Sequence, residues 1–261
     1  MTAPRDTEHP LPLLRAARGV FDLTLEGMIW SRRSLLMALL LGLPVVCALV
    51  YRVIVVTRST LDVSGGDLYG FIVALYYVRN ALPLAALYYA TSLIADEVEG
   101  KTMTYLLTRP VPRAAILGGK FAAYLATTLC LSLPATVITS LLLATSSDLL
   151  ADLGIVGLTL LVYGAFFTLV GVLLRRPVVP GLLFLFGWEF LANLPGYAPR
   201  LTITGYLRSL LRHRPPEEGF FGMLPEVLPS GLCLGVLGVL TLLALAGAAW
   251  IFSGREYVLD Q

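Results

Sequence analysis

Two ionisable residues lie apart from other charges in this sequence and are the first candidates for chemistry. Glu189 lies in an apolar run at 178–194, and Arg79 lies in a longer run at 68–95. A charged side chain inside an apolar span costs about 2.5–3.5 kcal/mol, so it must face a cavity, find a partner or lose its charge. Both residues are therefore candidates for a translocation path or gate. Two alternatives stay open: Arg79 extends to the outer membrane interface, and Glu189 hydrogen-bonds to a neighbouring helix.

A denser group of charges lies at 94–120, in the stretch IADEVEGKTMTYLLTRPVPRAAILGGK. Because these charges stand between two long apolar runs, they predict a solvated loop that joins two membrane spans. A short helical piece is predicted at 102–108, between Gly100 and the pair Pro110 and Pro112. A compact, charged turn of this kind is typical of a docking surface. The contact residues that we expect in it are Asp96, Glu97, Glu99, Thr102, Tyr105, Leu106, Leu107, Arg109, Pro110 and Arg113.

The sequence lacks the motifs of the common catalytic classes. Lys120 follows two glycines but is itself followed by Phe121, where a phosphate-binding loop requires Ser or Thr. HExxH and GxSxG motifs do not occur, and the two histidines have no partners at metal-ligand spacing. Three cysteines stand singly in apolar runs, which is typical of small buried side chains. We expect no enzyme activity, metal or cofactor on this chain.

Composition places the chain among multi-pass membrane proteins. Of its 261 residues 57% are hydrophobic and 14% charged, and the mean hydropathy is +0.81. A helical span needs about 20 apolar residues. The sequence therefore predicts an all-α polytopic membrane protein that forms a single transmembrane domain. Its six predicted spans are 35–56, 68–95, 114–144, 153–174, 178–194 and 229–252.

Two amphipathic segments accompany these spans. The segment 12–33 alternates apolar and charged positions at helical spacing, so it predicts a helix that lies at the membrane surface. The segment 195–228 predicts an external interfacial helix between spans five and six, with one apolar face and one arginine face. Membrane lipids are the expected partners of both segments. The net charge of +2 gives no indication of nucleic acid.

The basic residues predict the orientation. Six spans place both termini on the same side, and the loops of that side would hold twelve of the nineteen basic residues. Basic residues are enriched in cytoplasmic loops, so both termini and the loop 96–113 are predicted to be cytoplasmic, in a plasma or inner membrane. The arginines within 195–229 count against this orientation, although that segment is long and partly interfacial.

The central stretch resembles the cytoplasmic loop of type-2 permeases of ATP-binding-cassette (ABC) transporters. The matching residues are Glu97, Gly100 with Thr102, Leu106 with Leu107, and Pro110 to Arg113. Lys101 departs from the pattern, because many members have the Gly and Thr adjacent. The segment GWEFLANLPGYAPRLTITGYLRSLL is similar to the fifth span and external helix of the subgroup that includes the nitrous-oxide-reductase maturation permease. The helix before Arg32 is similar to the elbow helix of the family.

This resemblance implies an exporter with six spans per subunit and two permease subunits side by side, as a homodimer or heterodimer. It also implies two separate cytoplasmic ATPase subunits that hold ATP and Mg, with the loop 96–113 coupling to them. The alternative from another class is a polytopic membrane enzyme or channel-like protein without an ATPase. Its polar centre would be Arg79, Glu189 and the arginine face at 208–214.

Overall fold

The computed structural model describes residues 13–29, 32–58, 64–99, 113–145, 148–174, 176–193, 197–212 and 228–254. Within these ranges the chain is almost entirely helical, without strands. The α-helices are α1 (Leu13–Ile29), α2 (Arg32–Arg58), α3 (Gly65–Phe71), α4 (Leu82–Glu99), α5 (Arg113–Leu142), α6 (Leu149–Leu173), α7 (Val178–Leu183), α8 (Ile203–Leu210) and α9 (Ser230–Gly254). A π-helix, Ile72–Ala81, joins α3 to α4 without a break.

Five helical stretches in the described ranges are long and apolar enough to cross a membrane. They are Ser34–Thr57, Gly65–Leu93, Ala115–Leu142, Leu149–Leu173 and Ser230–Gly254. Their ends agree with five of the six predicted spans to within four residues. The remaining predicted span, 178–194, is a shorter apolar helical stretch, Val178–Ala192. It falls short of the roughly 20 residues that one straight span needs.

The core is built around α6, which packs against both α4 and α9 through small and aromatic residues. Gly171 of α6 faces the backbone of Thr91 in α4, where an added Cβ would lie 3.1 Å from the Thr91 Cα. Gly164 faces the Tyr124 ring, whose hydroxyl donates a hydrogen bond to the carbonyl oxygen of Leu160 at 2.9 Å. Small residues let membrane helices approach closely, and this core uses them at its tightest contacts.

Two helices at the periphery expose apolar faces. Leu39 of α2 is 68% exposed, and Leu242 of α9 is 70% exposed, as are many of their apolar neighbours. A soluble protein would not expose such long apolar faces, whereas lipid chains or another apolar protein surface would cover them. The structure therefore has the surface of a membrane protein.

The amphipathic segment at the N-terminus forms a helix that ends at Ile29, before the predicted end at residue 33. Its position at the membrane surface stays a prediction. The helix packs along α5, and Met28 at its end contacts the core. Ser34, at the start of α2, donates a hydrogen bond to the Met28 carbonyl oxygen and receives one from the Tyr89 hydroxyl at 3.0 Å. These contacts attach the C-terminal end of α1 to α2 and α4.

The segment after α6 runs from one end of that helix to the other. It begins with α7 beside the C-terminal end of α6, continues through a π-turn (Phe184–Trp188) and two 3-10 turns, and then forms α8. Shortly after α8, Arg212 pairs with Asp148, which precedes the first residue of α6, at 2.8 Å. Residues 178–212 therefore traverse the length of α6 as a series of short helices. This broken path explains why one continuous fifth span is absent from the described chain.

We expect Gly171→Leu to reduce the free energy of unfolding by about 1–3 kcal/mol, because the new side chain would push α4 and α6 apart. Denaturation of the purified chain in mixed micelles measures this change. The matched control is Gly154→Leu in the same helix, where an added Cβ meets nothing within 4 Å. That variant should stay within about 0.5 kcal/mol of the native chain. Equal stability of both variants would contradict a close contact at Gly171.

Candidate functional site

The predicted docking loop falls largely outside the described residues. Helix α4 ends at Glu99 and α5 begins at Arg113, so both ends of the loop are placed. The side chains of Asp96, Glu97, Glu99 and Arg113, on the adjoining helical turns, are not among those described. Thr102, Tyr105, Leu106, Leu107, Arg109 and Pro110, together with the predicted helix at 102–108, lie outside the described residues altogether. Their contact role stays a prediction.

Lys120 joins the two helices that flank this loop, α4 and α5. The sequence grouped it with the solvated charges of the loop, but it is 4% exposed and lies within α5. Its ammonium group donates a hydrogen bond of 2.6 Å to the carbonyl oxygen of Leu93 in α4. Because this cation is buried, the contact ties α4 and α5 together directly behind the loop.

Glu189 holds the corner between the fifth apolar segment and α8. The residue is 6% exposed, and its carboxylate accepts hydrogen bonds from the backbone N–H groups of Ile203 at 3.0 Å and Thr204 at 2.9 Å. Those N–H groups belong to the first turn of α8, which has no earlier carbonyl partners and carries the positive end of the helix dipole. Glu189 is therefore hydrogen-bonded, as one of the two alternatives from the sequence has it. Its partner is the first turn of α8.

Neighbouring residues complete this corner. The Thr202 hydroxyl accepts a hydrogen bond from the Gly205 N–H at 3.1 Å and donates one to the Pro199 carbonyl oxygen at 2.8 Å. A Cβ on Gly205 would lie 2.1 Å from the Pro199 oxygen, so only glycine fits there. The hydroxyls of Tyr163 and Thr204 hydrogen-bond at 2.8 Å, which attaches the corner to the middle of α6. The start of α8 is thus fixed within the bundle.

Arg79 lies in the helical stretch that corresponds to the second predicted span. It belongs to the π-helix Ile72–Ala81, at the midpoint of the apolar stretch Gly65–Leu93. That stretch is longer than the roughly 20 residues that a span needs, so the depth of Arg79 in a membrane stays a prediction. Its side chain is half-buried in the bundle.

Arg79 belongs to a segment that packs against α8. Helix α8 contacts the π-helix, and Val78 and Leu207 belong to the same buried cluster. Arg79 and Arg208 directly follow these two core residues in the sequence. Among the described side chains, none forms a hydrogen bond or an ion pair with Arg79. The polar centre of Arg79, Glu189 and the arginine face at 208–214 stays a prediction.

A buried carboxyl group was missed by the sequence analysis. Asp152 was assigned to the turn before the fourth span, but it lies in the first turn of α6 with 0% exposure. Its carboxyl group lies beside the phenol of Tyr69, and Ser140 also faces that phenol. The helix starts at Leu149, four residues before the predicted span, and this earlier start places Asp152 in its first turn.

Most of the chain matches a known protein family. The family model described as ABC-2 family transporter protein matches residues 23–187 of the chain. The match covers well over half of the sequence and includes Arg79, the loop 96–113 and Asp152. It ends just before Glu189, so the corner and α8 lie beyond it. No curated protein matches the chain significantly.

We expect Glu189→Ala to destabilise the chain by about 1–3 kcal/mol for each of the two buried N–H groups that lose their acceptor. Glu189→Gln keeps one acceptor oxygen and should lose less. Asp148→Asn, which removes the exposed partner of Arg212, should cost no more than about 1 kcal/mol. Denaturation in mixed micelles compares the three variants. Native stability of Glu189→Ala combined with lost transport would instead favour a direct role of Glu189 in the translocation path.

Proposed function

Since the chain belongs to the ABC-2 family of transporter proteins, we propose that it is the permease subunit of an ABC exporter. Family membership makes the chain a multi-pass membrane transport subunit that works with an ABC ATPase. We further propose that ATP hydrolysis on that separate subunit, which holds ATP and Mg, drives export of the substrate through this chain. The observation that carries the proposal is the family match over the central loop and its two flanking spans.

The loop 96–113 is the proposed contact through which movement of the ATPase is transmitted to this chain. It lies between α4 and α5, which are joined by the hydrogen bond from Lys120 to Leu93. Helix α4 also packs closely on α6, at Gly171 and Thr91, so a push on the loop would move a connected set of helices. Packed interfaces transmit such a push as a rigid-body shift. The proposed contact residues are those predicted from sequence, with Glu97 and the segment 102–108 at the centre.

Six crossings are proposed, of which the fifth is broken. Residues 178–212 traverse the length of α6 in short helices, and their path supports a fifth crossing composed of α7, the corner at Glu189 and α8. Non-helical corners are tolerated inside a membrane only where their backbone groups are satisfied by protein. Here the side chains of Glu189 and Thr202 accept hydrogen bonds from the backbone N–H groups at the start of α8. Six crossings would leave both termini on one side.

That side is proposed to be the cytoplasm, because twelve of the nineteen basic residues would lie toward it, in its loops or in the adjoining helices, with Lys120 buried in α5. The loop 96–113 then faces the compartment that contains ATP. The opposite end would hold the Arg212–Asp148 pair and the bond from Arg52 to the carbonyl oxygen of Leu142 at 3.1 Å. A second permease subunit is proposed as a further partner, and the exposed apolar faces of α2 and α9 leave surface for it and for lipid.

Charge reversal in the loop tests the coupling. We expect Glu97→Lys, and separately the double change of Leu106 and Leu107 to Asp, to reduce both ATPase retention and substrate-dependent ATPase activity about tenfold. A lost charge-assisted contact or a charge placed in an apolar contact has roughly that cost. The measurement is co-purification of the tagged permease with its native ATPase, followed by the hydrolysis rate of the reconstituted complex.

The control is Asp22→Lys, an equal charge reversal on the exposed face of α1. It should leave retention and hydrolysis unchanged, which would show that the effect belongs to the loop. Unchanged coupling in both loop variants would remove the loop from this role. A native purification that retains no ATPase would favour the alternative of a membrane enzyme or channel-like protein.

A further inference from the structure

The last turns of α4 are attached to a different neighbour at every second residue. The Tyr89 hydroxyl donates a hydrogen bond to the Ser34 hydroxyl of α2 at 3.0 Å. The backbone of Thr91 lies against Gly171 of α6, on the tightest contact between those two helices. Leu93 bonds to α5 through its carbonyl oxygen. Helix α4 is therefore joined to α2, α6 and α5 within five residues, directly before the loop that follows it.

The attachment at Leu93 carries a buried charge. Lys120 is buried, and Leu117 and Phe121 on either side of it belong with Leu93 to one buried apolar cluster. An ammonium group in such surroundings needs hydrogen-bond acceptors, because taking a charge out of water without them is costly. The carbonyl oxygen of Leu93, at 2.6 Å, is such an acceptor. The amino group of Lys120 is therefore held to α4 by its charge.

The acceptor also belongs to the helical turn that leads into the loop. In an α-helix the carbonyl oxygen of one residue accepts the N–H group of the residue four positions later. Helix α4 continues to Glu99, so the oxygen of Leu93 is placed to accept the N–H of Glu97. A carbonyl oxygen has two lone pairs, which lets it accept from Glu97 and from Lys120 at the same time. The bond from Lys120 therefore fixes the turn of α4 that carries Glu97, the residue at the centre of the proposed ATPase contact.

We propose that Lys120 is a positioning residue for the loop 96–113. Its bond to Leu93 fixes the start of the loop relative to α5, the helix at which the loop ends. Both ends of the loop then move together, and the attachments at Tyr89 and Thr91 pass the movement on to α2 and α6. The effect of Lys120 on ATPase coupling rests on the proposed function, whereas its effect on the start of the loop does not.

Hydrogen exchange of the purified full-length chain in detergent tests the start of the loop without ATP or a partner subunit. Lys120→Met keeps the length of the side chain but removes its donors. The backbone amides at 94–99 should then exchange about tenfold faster, since a charge-assisted hydrogen bond is lost. Lys120→Arg keeps a charged donor and should restore part of the protection. The matched control is Thr127→Val, because the Thr127 hydroxyl is buried in α5 but bonds to Ala123 of the same helix. It should leave exchange at 94–99 unchanged.

The complex reconstituted with the native ATPase tests the consequence for coupling. We expect Lys120→Met to reduce kcat for ATP hydrolysis about tenfold, the same factor as in exchange. The KM for ATP and the retention of the ATPase should stay native, because the contact residues of the loop are unchanged. This split separates positioning from loss of the fold, since a misfolded chain would also lose the ATPase. Lys120→Arg should recover part of kcat, and Thr127→Val should keep the native value.

The amides of α6 report whether each variant is folded, and Lys120→Gln replaces Lys120→Met if the latter is not. The proposal is overturned if the amides at 94–99 exchange at the native rate in the folded variant. It is also overturned if they exchange faster while kcat stays native. Faster exchange in a chain whose native form retains no ATPase would reject the proposed export function and leave Lys120 as the residue that positions the loop.

Discussion

The bond between Glu189 and the first turn of α8 is the contact on which the broken segment depends. A helix that starts inside a bundle exposes N–H groups that have no partner in the preceding turn, and water is scarce there. The carboxylate of Glu189 accepts two of them, while Thr202 accepts the Gly205 N–H. With these donors satisfied, the chain can stop one helix and start another beside the middle of α6. The position of Arg208 follows directly from this arrangement.

The packing of the other helices depends on glycines that let neighbouring helices approach closely. Glycines at 164 and 171 allow α6 to contact Tyr124 and the backbone of α4, and α9 closes the same core from the other side. Because α6 contacts α4, α5, α8 and α9, it connects the end that carries the loop 96–113 to the corner at Glu189. A shift that enters at the loop therefore has a continuous packed route through α6 to the corner at Glu189.

Three charged side chains of the described bundle lie beside polar groups that compensate their charge. Lys120 is buried but has a carbonyl oxygen at its ammonium group, and Arg52 reaches the C-terminal end of α5 at Leu142. Asp152 lies beside the phenol of Tyr69 in the first turn of α6. Each of these three charges therefore lies beside a polar group of the protein.

The sequence by itself determined the class of protein, five of the helical spans and the charged central loop. Long apolar runs must be helical in lipid, and clustered charges must leave it, so both features can be derived from local composition. Only the tertiary structure decided that the run at 178–194 breaks, because the break depends on a carboxylate bonded to residues fourteen and fifteen positions later. It also decided that Asp152 and Lys120 are buried, and that α8 packs against the segment that carries Arg79. Such contacts follow from how helices pack, which local periodicity does not encode.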